Sequence, residues 1–212
     1  MRARGAEPHR KLLSAGKAEA MPAQHDWEVI ISGIGSRGYV EAVGAIACLY
    51  NQLEYTFYGL FYCYSGVSHA SARSLFLGIN NPFRQSHFRR LVEECDEKEA
   101  VKELLHCFAD SYEICVTNRN LLMHAWMQGG DEEPLHVLKF SRRRAPDFEA
   151  LNLTTGDLRD AARDMFWLQM YGQTLVGWVN RSPEDRITSL DLSCEGLPLQ
   201  RWPLPRLLTV SN

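Results

Sequence analysis

Residues 101–126 read VKELLHCFADSYEICVTNRNLLMHAW, and this stretch decides the fold class. Its inward positions recur every three or four residues, which is the period of one face of an α-helix. The stripe consists of Val101, Leu105, Phe108, Tyr112, Cys115, Arg119, Leu122 and Trp126. Asp96 and the acids after it suit a helix amino terminus, and Gly129-Gly130 suits its end. The stretch therefore predicts a long amphipathic helix.

Other helices are predicted on both sides by the same period. They cover about 36–64, 68–77, 83–94 and 157–179, with Asn80-Asn81-Pro82 and Thr154 or Thr155 as helix starts. Residues 135–141 and 148–153 alternate in the manner of strands and flank the polar stretch 142–147, which predicts a β-hairpin at about 135–153. The predicted architecture is an all-α, up-and-down helical bundle with a small β-hairpin inserted before the last helix.

The chain ends lack this periodicity. Residues 1–25 are predicted to be a disordered tail, 26–180 the bundle, and 181–212, with four prolines, an extended C-terminal tail that docks through apolar residues such as Trp202. Met21 directly precedes the patterned region, so translation from Met1 or from Met21 remains open.

Composition excludes several classes of protein. The net charge of −3 and a pI of about 6.2 argue against a wholesale polyanion binder, although one local RNA site remains compatible with them. The six cysteines form no Cys-x-x-Cys pair and no histidine set has zinc spacing, so we expect neither a disulfide framework nor a metal. The apolar run 53–67 contains Glu54 and several tyrosines, which indicates a buried helix of a cytoplasmic protein rather than a membrane span.

A glycine motif, G-x-G-x-x-G, covers residues 33–38 and follows the apolar residues 28–31. In a βαβ unit such glycines let a pyrophosphate approach a helix amino terminus. No second strand with a ribose-binding acid follows, because the helical period continues through 54–64. A nucleotide-binding module is therefore a remote alternative to a flexible entry into the first helix, and no cofactor is expected.

The polar residues within the helical stripes carry the specific chemistry. Arg119 stands where a leucine is expected, and Asn120 and His124, four residues apart, share a neighbouring face. Glu54 lies on the apolar stripe of the first helix, where a charge requires a partner such as an inward Arg or His, and Arg119 is available. A permanent cation, an amide and an imidazole are the groups that metal-free RNA cleavage needs, since His moves protons and Arg stabilises phosphoryl charge.

Arg119-Asn120-x-x-x-His124, near the end of a long helix in a small bundle, resembles the R-N-x-x-x-H motif of the HEPN superfamily. The resemblance implies a metal-independent endoribonuclease of a toxin–antitoxin or defence system. It also implies a homodimer with two motifs facing each other, and an antitoxin or another protein as a partner. It implies catalytic roles for Arg119 and His124, a supporting role for Asn120 and, more loosely, a role for Glu54.

Two further features bear on this interpretation. Arg142, Arg143 and Arg144 in the hairpin loop form either a solvated turn or a contact for RNA phosphates, and Arg84, Arg89 and Arg90 have the same two readings. Aromatic residues surround the first helix from 55 to 64, which favours a dimer through that helix. The alternative function is a non-catalytic helical interaction protein in which Arg119, Glu54 and His124 form a structural polar cluster.

Overall fold

The computed structural model describes residues 35–128, 135–140, 148–182 and 203–208. Within these ranges the chain forms five helices and three strands. The helices are α1 (Arg37–Ser65), α2 (His69–Gly78), α3 (Asn81–Glu94), α4 (Glu99–His124) and α5 (Thr155–Val179), and the strands are β1 (Trp126–Gln128), β2 (Leu135–Phe140) and β3 (Phe148–Leu153). The predicted helical bundle with a hairpin before its last helix is confirmed.

Side-chain caps fix where the helices begin. Ser36, Ser68 and Asn80 each accept a hydrogen bond from a backbone N–H in the first turn of α1, α2 and α3. At α5 the Thr154 side chain accepts from the backbone of Asp157, and the Asp157 carboxylate accepts in return from the Thr154 backbone. These reciprocal bonds satisfy amide groups that a helix amino terminus otherwise leaves unpaired. The hydrogen bonds from Thr154 lower the pKa of Asp157.

The most extensive contact in the bundle joins α1 to α5. Gly38 near the start of α1 lies against Thr155, and Gly59 further along lies against Val176, so the two helices run parallel. Glycines at the contact let the two backbones approach closely. In contrast, α4 runs antiparallel to α1, because Tyr50 contacts Tyr112 whereas Phe57, two turns later, also contacts Phe108.

The sheet contains one strand more than the predicted hairpin. Strands β2 and β3 pair antiparallel, with Val137 opposite Leu151, and both of these side chains are buried against the helices. Strand β1 pairs antiparallel with the other edge of β2, with Trp126 opposite Leu138. The prediction that Trp126 continues the stripe of α4 is therefore wrong. Helix α4 ends at His124, and the backbone turns extended at Ala125, with φ −88° and ψ 149°.

Several predictions concern residues outside the described ranges. These are the N-terminal tail at 1–25, the proposed strand at 28–31, the loop arginines Arg142 to Arg144, and most of the C-terminal tail, including Trp202. Residues 203–208 are described: they have no regular secondary structure and contact α4 and α5 through Asn118 and Asp157. Among the described helices, none is both long and apolar enough to cross a lipid bilayer.

Candidate functional site

Arg119 is held in place by an aromatic ring and an amide. Its guanidinium carbon lies 5.1 Å from the centroid of the Tyr50 ring on α1, within the range of a cation–π interaction. One terminal nitrogen, Nη1, donates a hydrogen bond to Oδ1 of Asn120 at 3.0 Å. The Nε atom is buried and has no hydrogen-bond partner among the described residues. Arg119 also forms no ion pair with any carboxylate in these ranges.

Asn120 is hydrogen-bonded to Arg119, His124 follows Asn120 by one helical turn on the same face of α4, and the side chains of Asn120 and His124 are both exposed. His124 is the last residue of the helix, two positions before β1 begins. The motif therefore occupies the last two turns of α4 and combines one half-buried cation with two accessible polar groups. This arrangement can present a positive charge, an amide and an imidazole to an anionic ligand.

Glu54 forms its ion pair with Arg84 rather than with Arg119. Nη1 of Arg84 lies 2.6 Å from Oε1 of Glu54, and the Arg84 side chain is only 11% exposed. Arg84 also donates to the carbonyl oxygen of Ile79 at 2.8 Å and to Oδ1 of Asn81 at 3.0 Å. The guanidinium carbon lies 4.3 Å from the centroid of the Phe76 ring. Arg84 is therefore a buried structural residue, and its reading as part of a solvated or RNA-binding helix face is wrong.

A chain of contacts nevertheless connects Glu54 with Arg119. Asn81, which accepts from Arg84, donates through Nδ2 to the hydroxyl oxygen of Tyr50 at 3.0 Å, and Tyr50 presents its ring to Arg119. The Tyr50 hydroxyl lies 3.4 Å from that of Tyr112. Burial, reinforced by the Tyr50 hydroxyl, raises the pKa of Tyr112, which therefore remains a neutral hydrogen-bonding group. The polar cluster at this end of the bundle is built around Arg84 and Tyr50.

Sequence reasoning did not identify Tyr50 and Asn81 as parts of this cluster. Tyr50 lies on the stripe of α1 one turn before Glu54, where an aromatic side chain is the residue type expected of the core. Asn81 follows the capping residue Asn80 in a predicted helix start, which accounts for this asparagine without a role in the cluster. A detectable signal was the spacing of Asn81 and Arg84, three residues apart on one helix, which places both side chains on the same face.

Two other predicted features, a metal site and the glycine motif, can be compared with the described residues. No group of three or more His, Cys, Asp or Glu side chains within the described part of the chain has the geometry of a metal site. Of the glycine motif, only residues 35–38 are described. Ser36 there caps the helix, and a Cβ atom on Gly38 would come within 3.4 Å of Thr155 and Arg159. Gly38 thus has a packing role at the contact between α1 and α5.

Comparison of the chain with protein-family models, with curated proteins and with solved structures finds no match.

Proposed function

We propose that Arg119, Asn120 and His124 form the active centre of a HEPN-like, metal-independent endoribonuclease. The observation that supports the proposal is the environment of the Arg119 guanidinium. Its guanidinium is fixed by Tyr50 and Asn120, yet no carboxylate within the described ranges neutralises it. A positioned cation and an exposed imidazole at the same end of one helix are suited to bind a phosphate and to transfer protons.

The alternative role of this motif as a structural cluster with Glu54 has less support. A structural ion pair does exist at this end of the bundle, but its cation is Arg84. Glu54 is already satisfied by that partner, so Arg119 is not needed to neutralise it. In the proposal, Glu54 has no catalytic role. Together with Arg84 and Asn81 it keeps Tyr50 in position under the Arg119 guanidinium.

The proposed reaction is attack of an RNA 2′-hydroxyl on the adjacent phosphorus. The bond from O2′ to phosphorus forms, the bond from phosphorus to the 5′ oxygen breaks, and the products are a 2′,3′-cyclic phosphate and a 5′-hydroxyl. His124 transfers a proton from the attacking hydroxyl or to the leaving oxygen. Arg119 stabilises the charge that develops on the phosphoryl oxygens, and Asn120 holds Arg119 in orientation. In a homodimer with facing motifs, one imidazole serves as base and the other as acid.

The test is cleavage of end-labelled RNA by the purified chain in EDTA, with His124→Ala and Arg119→Ala as variants. Suitable matched controls are His69→Ala and Arg163→Ala, because both side chains are exposed and lie outside the site. Cleavage by the wild type and both controls, ending in a cyclic phosphate, with at least about a hundredfold loss in the two site variants, is the expected result. Equal activity in all five proteins would assign the cleavage to a contaminant.

A second candidate function is that of a non-catalytic interaction protein, and exposed apolar residues on α5 favour it. Phe166, Trp167 and Met170 are 41%, 48% and 42% exposed and lie within about one helical turn. Contiguous apolar surface of this kind is typical of protein interfaces. Absence of RNA cleavage together with a dimer in light scattering that Trp167→Lys dissociates would favour this function over the first.

A further inference from the structure

Asn118 is a buried polar residue whose side-chain nitrogen and oxygen are both hydrogen-bonded to the C-terminal segment 203–208. It is only 1% exposed and lies on α4 directly before Arg119. Its Nδ2 donates to the carbonyl oxygen of Arg206 at 2.9 Å, and its Oδ1 accepts from the backbone N–H of Leu208 at 2.9 Å. The two bonded positions are two residues apart, which is the spacing of groups on one edge of an extended strand. Asn118 therefore acts as a substitute for a neighbouring strand.

Asn118 of α4 together with Asp157 and Asp164 of α5 forms the surface, here called the groove, that contacts this segment. Nη1 of Arg206 donates to Oδ1 of Asp157 at 3.0 Å, and its backbone N–H donates to Oδ2 of Asp164 at 3.3 Å. Pro205 and Leu208 are buried, whereas Leu207 between them is 42% exposed. The groove thus covers the proline and the leucine, pairs the arginine with Asp157 although the Arg206 side chain remains 68% exposed, and leaves the third position exposed.

We propose that this groove is a recognition site for extended peptides of the pattern Pro-Arg-x-Leu, and that residues 205–208 are its intramolecular ligand. Recognition by main-chain hydrogen bonds together with pockets for particular side chains is the mode used by domains that bind extended peptides. Because the segment belongs to the same chain as its site, a free peptide has to compete with it for binding. The partner is another protein that presents this pattern and displaces the segment.

The binding test uses the full-length chain. Changing Arg206→Glu and Leu208→Ala together weakens the intramolecular ligand, because the new carboxylate faces Asp157 and the buried leucine is lost. A fluorescent peptide with the sequence of residues 201–210 is then titrated and its anisotropy measured. Saturable binding to this variant, at least about tenfold tighter than to the wild type, is expected. A peptide with glutamate at the arginine position should bind at least about tenfold more weakly.

Two results would overturn the proposal. One is absence of saturable binding to the variant while its circular dichroism spectrum and melting temperature remain those of a folded protein. The other, which applies if the variant does not fold, is hydrogen exchange of the wild-type Leu208 amide only through global unfolding, since a displaceable ligand must open separately. A wild-type dimer that dissociates on changing Arg206 would reassign the groove to exchange of the segment between copies.

Discussion

Gly172 on α5 lies against side chains of both α1 and α4, and Gly172→Ala is expected to destabilise the protein. A Cβ atom there would lie 2.5 Å from Cε2 of Phe108 and 2.7 Å from Cγ2 of Thr56. Ordinary carbon contacts are about 3.5–4.0 Å, so both neighbours must move by about 1 Å. Phe108 is fully buried, and Thr56 is tied by its hydroxyl to the Gln52 carbonyl oxygen at 3.0 Å. Neither the Phe108 nor the Thr56 side chain can move easily.

The magnitude follows from two opposing effects. Overpacking of a core costs about 1–3 kcal/mol. Alanine in a helix is favoured over glycine by up to about 1 kcal/mol. Because both obstructing side chains are confined, we place the cost in the upper part of its range and expect a net loss of about 1–2 kcal/mol. For a chain of this length, that corresponds to a fall in melting temperature of roughly 2–8 °C.

Gly177→Ala is the matched control on the same helix, because a Cβ atom there meets nothing within 4 Å. It should be neutral or stabilising by up to about 1 kcal/mol, through the backbone alone. Urea unfolding followed by circular dichroism at the helical minimum measures both variants. Equal stability of Gly172→Ala and Gly177→Ala would refute the close packing of the three helices at this point.

Two further predictions concern the polar cluster and alkaline stability. Arg84→Met should lower the free energy of unfolding by about 1–3 kcal/mol, since it strands the half-buried Glu54 carboxylate, and adding Glu54→Gln should recover part of that loss. Purely additive effects in the double-mutant cycle would contradict this. Burial raises the pKa of Tyr39 from 10.0 to about 12, so the unfolded chain loses this proton at lower pH and stability should fall as pH rises from about 10 through 12. Urea unfolding at pH 9 and pH 11 should show a smaller decline for Tyr39→Phe, and an identical decline would exclude Tyr39 as a contributor.

Much of the fold could be predicted because helical periodicity and caps are local properties. The start of α5 follows from Thr154 and Asp157, which interact within one turn. The extra strand could not be predicted in this way. Trp126 continues the period of α4, and only the pairing of its strand with β2, in which Trp126 lies opposite Leu138, shows that it is extended. Tertiary pairing here overrides the local pattern.

The sequence shows which positions of the site hold unusual residues. It does not show which of these residues contact each other. Glu54 on an apolar stripe correctly indicated a paired charge. The choice of Arg84 over Arg119 depends on where α3 packs, 30 residues away along the chain, and no local rule contains that information. Asn118 gave no signal at all, because its two partners lie in a segment 88 and 90 residues further on.

The parallel contact between α1 and α5 also has a consequence for synthesis on the ribosome. The first described helix buries Gly38 against Thr155 and Gly59 against Val176, residues made 117 positions later in both cases. Until the last helix has left the exit tunnel, α1 exposes the apolar side chains that this contact covers. The nascent chain should therefore depend on chaperones late in translation, and truncation before residue 155 should yield an aggregating product rather than a smaller folded one.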